Sequence, residues 1–202
     1  VVAGDLSTQD YTVMVKKKAE VKQTTYIKDS LAHQAFNSFG SSVSLDGNTL
    51  AAGAQLGRQS TVGMSGDVNV YTHTGSIWQH QESLWAHNPS KYGDGDHKHD
   101  YFGVSVSLDG DTIAVGAHQE DSSVTGVHHG PSWPTDNDNT KNSGAAYVFT
   151  RSGTTWTQQA YLKADAVGTD FQFGYSVSLD GDWLAVGQYQ PGTGKGMVYL
   201  YQ

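Results

Sequence analysis

The chain has 202 residues, with 24 glycines, 4 prolines and 37% hydrophobic content, which suits one large β domain of short strands and tight turns and speaks against a helical bundle. It has no cysteine and a formal net charge of −8, which excludes disulfides and thiolate zinc sites and argues against nucleic acid and anionic membranes as partners. No run of about 18 apolar residues occurs, so membrane insertion is not expected.

In chain order, Val1 is followed by no charged-then-apolar leader, which reads as a signal peptide absent or already removed. Tyr11 to Val15 reads as a strand, Lys16 to Lys18 as a solvated turn, and residues 21–28 as a second strand. The segment VKQTTYIKDS from Val21 aligns position for position with WTQQAYLKAD from Trp156.

A sentence then recurs three times: FGSSVSLDGNTLAAGA from Phe39, FGVSVSLDGDTIAVGA from Phe102 and FGYSVSLDGDWLAVGQ from Phe173. Each copy alternates large and small residues on both sides of an Asp-Gly pair, as Val43, Leu45, Leu50 and Ala52 do against Ser42, Ser44, Thr49 and Ala51. Period-two alternation about Asp-Gly predicts a β-hairpin with a two-residue type I′ turn. One face of each hairpin is aliphatic and the other carries Ser and Ala, a pattern that suits sheets stacked large against small. Two further strands follow, from Gly66 and Gly144, with turns at Gly75 and Gly153 and with Trp78 and Trp156 opening the last strand.

Four antiparallel strands per unit, A to D, predict all-β, propeller-type blades. The reading is a single domain over residues 1–202: orphan C and D strands in 1–35, blades in 36–100 and 101–170, and a partial third blade in 171–202. The third unit stops at its C strand, so the strand at 21–28 is the candidate D strand that removes an exposed sheet edge.

The pairs Phe39-Gly40 with Gly53-Ala54, Phe102-Gly103 with Gly116-Ala117, and Phe173-Gly174 with Gly187 resemble the FG-GAP repeat of integrin α-subunit heads and of secreted bacterial and algal proteins. The resemblance covers about residues 21–202. It implies an extracellular propeller, secreted or at the cell surface, used for adhesion or ligand recognition. It also implies calcium held between strands A and B, but here that loop has shrunk to an Asp-Gly turn with too few oxygens to wrap an ion that takes six to eight.

Four constellations outside the repeat are candidate sites. Asp94, Asp96 and Asp100 sit at positions 1, 3 and 7 of an acidic loop, the start of an oxygen cage for calcium. The insertion HQEDSSVTGVHHGPSWPTDNDNTKNS, His118 to Ser143, reads as a long loop without strands, and Glu120, Asp121, Asp136 and Asp138 are its candidate calcium ligands. In the same insertion Trp133, His128 and His129 are candidate ligand-binding residues, with Trp133 as an exposed ring for a sugar or a partner protein. His97, His99, His118, His128 and His129 are the histidines that a transition metal would need brought together.

No G-x-S-x-G, H-E-x-x-H or phosphate loop occurs, and no enzyme is expected. The function expected is an extracellular adhesion module recognising a carbohydrate or protein ligand, with calcium as the candidate cofactor. The alternative is a structural subunit that self-associates into a dimeric ring or filament by strand complementation between open-ended blades. A third reading makes the residues a piece of a longer propeller.

Overall fold

The computed structural model describes residues 23–28, 37–57, 65–89, 99–134, 138–192 and 194–202. The strand expected at Tyr11 to Val15, and Asp94, Asp96, His97 and Asp136, lie outside them.

Twelve strands and no helix make up the described residues. The first sheet runs β1 (Phe39–Asp46), β2 (Thr49–Ala54), β3 (Asp67–His73) and β4 (Trp78–Leu84) in simple sequential order. The second holds β5 (Ser105–Asp109), β6 (Thr112–Ala117), β7 (Gly126–His129), β8 (Ala145–Ser152) and β9 (Thr155–Lys163), in the order β5-β6-β8-β9-β7. The third holds β10 (Phe173–Asp180), β11 (Trp183–Gln188) and β12 (Met197–Tyr201). These are antiparallel, propeller-type blades, each started by one copy of the repeated sentence.

Two expectations are corrected. The insertion carries a strand of its own: β7 pairs with β9 from Gly126↔Lys163 to His129↔Ala160 and gives the second sheet five strands. The segment 23–28 forms no ladder with any described strand. Its Thr24, Thr25, Tyr26 and Ile27 instead line the ground beside Trp78.

The turns sit one residue later than Asp-Gly suggests. Asp46 pairs with Thr49, Asp109 with Thr112 and Asp180 with Trp183, so each loop is Gly-X. Gly47, Gly110 and Gly181 take positive φ of 52°, 55° and 54°, while the residues after them do not. Positive φ at the first loop position alone is the type II′ pattern, which glycine adopts without a Cβ penalty.

The sheets stack front to back. The large front face of the second sheet, with Phe102, Ile113, Val115, Tyr147 and Phe149, packs on Ala51, Val68, Val70 and Leu84 of the first. The front face of the third, with Phe173, Leu184 and Val186, packs on Ala114, Ala146, Ala160 and Leu162 of the second. Small back faces let aromatic front faces approach closely, which is why the Ser/Ala sides of the first two hairpins are covered at these joints.

Candidate functional site

The same joint is built twice, residue for residue. At the first, Asp46 Oδ2 accepts the Gly110 amide at 2.8 Å, Ser44 Oγ accepts the Leu108 amide at 2.9 Å, and Ser42 Oγ donates to the Gly103 carbonyl at 2.7 Å. At the second, Asp109 Oδ2 accepts the Gly181 amide at 2.6 Å, Ser107 Oγ accepts the Leu179 amide at 2.9 Å, and Ser105 Oγ donates to the Gly174 carbonyl at 3.1 Å. Gly53 and Gly116 make room for the incoming strand. A Cβ at either would overlap the carbonyl oxygen of Gly103 or Gly174. The repeated Ser-x-Ser-x-Asp is thus a ladder of acceptors and donors aimed at the next blade.

Two faces of this stack have no such neighbour among the described residues. On the front of the first sheet, Val43 and Leu45 are 65% and 62% exposed, whereas their counterparts Val106 and Leu108 are 9% and 7% exposed. On the back of the third sheet, Val198 and Leu200 are 71% and 66% exposed, whereas Val68 and Val70, at the same ladder positions of the first sheet, are fully buried. A groove of about 330 Å³ runs along the back face between Tyr175, Gly187, Tyr189, Met197 and Val198. Another, of about 440 Å³, lies on the front face between Val43, Leu45, Leu50 and residues 25–27.

Of the acidic residues expected to bind calcium, Asp100, Glu120, Asp121 and Asp138 lie among the described residues. Glu120 is fully buried and ion-paired to Lys163 Nζ at 2.5 Å, with both side chains shielded from solvent. The Tyr161 hydroxyl donates to Glu120 Oε1 at 2.6 Å and Asn88 Nδ2 donates to the same oxygen at 3.0 Å. Lys163 also donates to Ser143 Oγ at 2.6 Å. The carboxylate is therefore spent on internal partners, and its surroundings do not fit a calcium ion. Asp121 Oδ1 accepts the Asn142 amide at 2.5 Å and pins the two ends of the insertion together. Asp100 is buried and Asp138 is half-buried. The Asp-Gly turns do not fit calcium either, because Asp46 and Asp109 each accept a glycine amide of the next blade. Among the described residues no three His, Asp or Glu side chains form a group that could hold a metal.

The described histidines do not converge into one metal-holding group. His99 and His118 flank Tyr101, and His118 also meets Tyr175 edge-on. Burial pushes His118 down to about 4, and its Nδ1 has no hydrogen-bond partner among the described residues. His128 and His129 lie on β7, bonded to the Thr125 and Gln159 carbonyls. Trp133 is half-buried, not an exposed ring: it stacks on His87 at 4.7 Å and packs against the core between the first two sheets. His87, which sequence reasoning passed over, takes a hydrogen bond from Gln158 at 2.8 Å and is held below its ordinary pKa, chiefly by burial. It had no repeat counterpart to mark it out.

A family model described as FG-GAP repeat matches residues 93–131 and 156–201. No curated protein matches the chain at a significant level.

Proposed function

This chain is built of FG-GAP repeats, and on that premise we propose that it is a non-catalytic extracellular binding module that grips protein partners through its two uncovered blade faces. FG-GAP repeats are typical of extracellular and cell-surface adhesion-type proteins, and this supports the placement outside the cell. One observation carries the reading. Val198 and Leu200 stand 71% and 66% exposed at positions that are fully buried in the first sheet. Covering an aliphatic side chain of this size contributes about 1.5–3 kcal/mol, so such a face favours an apolar, strand-bearing partner. A sugar platform at Trp133 is less favoured, because one side of that indole is already stacked on His87.

The absence of native cysteine makes thiol labelling a clean test. In Val198→Cys at nanomolar concentration, a maleimide should react at the rate of a free thiol. In Val68→Cys, its buried counterpart, reaction should be slower by about a hundredfold or more. Equal protection of both thiols would mean that the face is covered within the chain, and would remove it as a binding surface.

A further inference from the structure

The two uncovered faces are complements of each other. The back of the third sheet carries Ser176, Ser178, Asp180 and Gly187 in the places that Ser42, Ser44, Asp46 and Gly53 hold at the first joint. The front of the first sheet carries Gly40, Leu45 and Gly47 in the places of Gly103, Leu108 and Gly110. Gly40 and Gly47 have φ of 84° and 52°, against 88° and 55° at Gly103 and Gly110, so the backbone presented is the same. At Gly187 an added Cβ would meet only Ser176 in its own sheet, whereas at Gly53 and Gly116 it would also meet the carbonyl of the next blade. The socket is formed and its occupant is a glycine carbonyl that this sheet does not receive from the described residues.

We propose that the back face of the third sheet docks the front face of the first sheet in a second copy of this chain, head to tail, repeating the internal joint. This rests on the reading of the blade ends as binding surfaces and names their partner. Asp180 then accepts the Gly47 amide of the second copy, Ser178 accepts its Leu45 amide, and Ser176 donates to its Gly40 carbonyl. Val198 and Leu200 cover Val43 and Leu45. The interface already works twice inside the chain, with 0% exposure at Val68, Val70, Val115 and Val186, so it needs no new recognition chemistry.

The segment 23–28 takes part in the same geometry. At the joint between the first two sheets, Trp156, the second residue of β9, lies beside the preceding D strand, β4, donating from Nε1 to Gln81 at 2.9 Å and from its amide to Glu82 at 2.8 Å. Trp78 opens β4, and Thr24 and Thr25 lie beside it. Residues 23–28 thus lie where the D strand of a preceding blade lies. In the head-to-tail pair that blade is the third sheet of the other copy, where β12 has β11 as its one neighbour among the described strands. The donated segment supplies the fourth strand. Because each joint uses two different faces, the contact is heterologous and leads to a ring or a filament.

The test uses the full 202-residue chain and two variants whose changed side chains are exposed, Val43→Asp and Val198→Asp. Sedimentation velocity of the native chain should show mass rising with concentration up to about 1 mM. Each variant alone should stay monomeric, since each has lost one face. Mixed in equal amounts they should form a one-to-one dimer and nothing larger, because each supplies the face the other lacks. Leu45→Asp and Leu200→Asp replace them should either first variant melt below the native chain. A native chain that stays monomeric throughout overturns the proposal, as does a mixture without dimer or a Val43→Asp variant that dimerises alone. If the thiol of Val198→Cys reacts freely while the native chain is strictly monomeric, the binding faces stand and the second copy is the wrong partner. If that thiol is protected at nanomolar dilution, the reading beneath fails as well.

Discussion

The carboxylate of Asp46 accepts the amide proton of Gly110 at 2.8 Å and ties the turn of the first sheet to the turn of the second. Asp109 and Gly181 repeat the link, whereas Asp180 has no following turn among the described residues. All three aspartates close equivalent Gly-X turns, so their local roles are the same. Replacing Asp46 or Asp109 by Ala should therefore cost the turn share plus the link, about 1 kcal/mol more than Asp180→Ala. Urea unfolding of the three variants at low protein concentration reads the difference. Equal losses would confine the aspartates to their own turns.

The glycines of the Gly-Ala pairs give a second, steric contrast. A methyl at Gly116 would overlap the Gly174 carbonyl oxygen, a backbone atom that cannot turn away. At Gly187 the nearest atom is the Ser176 hydroxyl, which can change rotamer. Gly116→Ala should cost about 3 kcal/mol through overpacking, while Gly187→Ala should stay within about 0.5 kcal/mol of the native chain. Thermal melts at low concentration decide this. A Gly116→Ala variant of native stability would show that the sheets can separate there at no cost.

The hairpins were legible because alternation and glycine placement act within one strand pair: Val106 and Leu108 face one way and Ser105 and Ser107 the other. Sequence also exposed the small-against-large logic of the stack. It misplaced the turns by one residue, because an Asp-Gly pair fits a I′ loop as well as the closing position of a II′ loop. It missed what Ser44 and Asp46 do, since their partners Leu108 and Gly110 lie 64 residues away and local pattern carries no such information. Glu120 looked like a calcium ligand for the same reason: its neutralising Lys163 is 43 residues distant. Trp133 looked exposed because nothing in its Pro-flanked segment announces His87.

The buried pair Glu120–Lys163 supports the base of the insertion and β9 together. Glu120→Gln leaves the Lys163 ammonium buried without its counter-charge and should cost about 3–5 kcal/mol. Removing both charges, as Glu120→Met with Lys163→Met, should recover more than half of that loss, because the desolvation penalty of both ions disappears together. Guanidinium unfolding of the single and double variants measures the coupling. A single variant within about 0.5 kcal/mol of the native chain would mean that the carboxylate does not neutralise the lysine.

His118 makes stability depend on mild acid. Its imidazole is pushed from 6.5 to about 4 by burial against Tyr101 and Tyr175. Between pH 6.5 and pH 4 the unfolded chain binds a proton at this residue that the folded chain refuses, so stability rises with pH across that window. The contribution is fully present above pH 6.5 and is lost as pH falls toward 4. Allowing for partial exposure of the ring, the loss is on the order of 2 kcal/mol. His87, also held low by burial, adds in the same direction. Melting temperatures from about pH 7.5 to 4 should therefore fall more steeply for the native chain than for His118→Phe, which keeps the aromatic contacts and removes the titrating nitrogen. Parallel curves for the two proteins would show that His118 is protonated as readily in the folded chain as in the unfolded one.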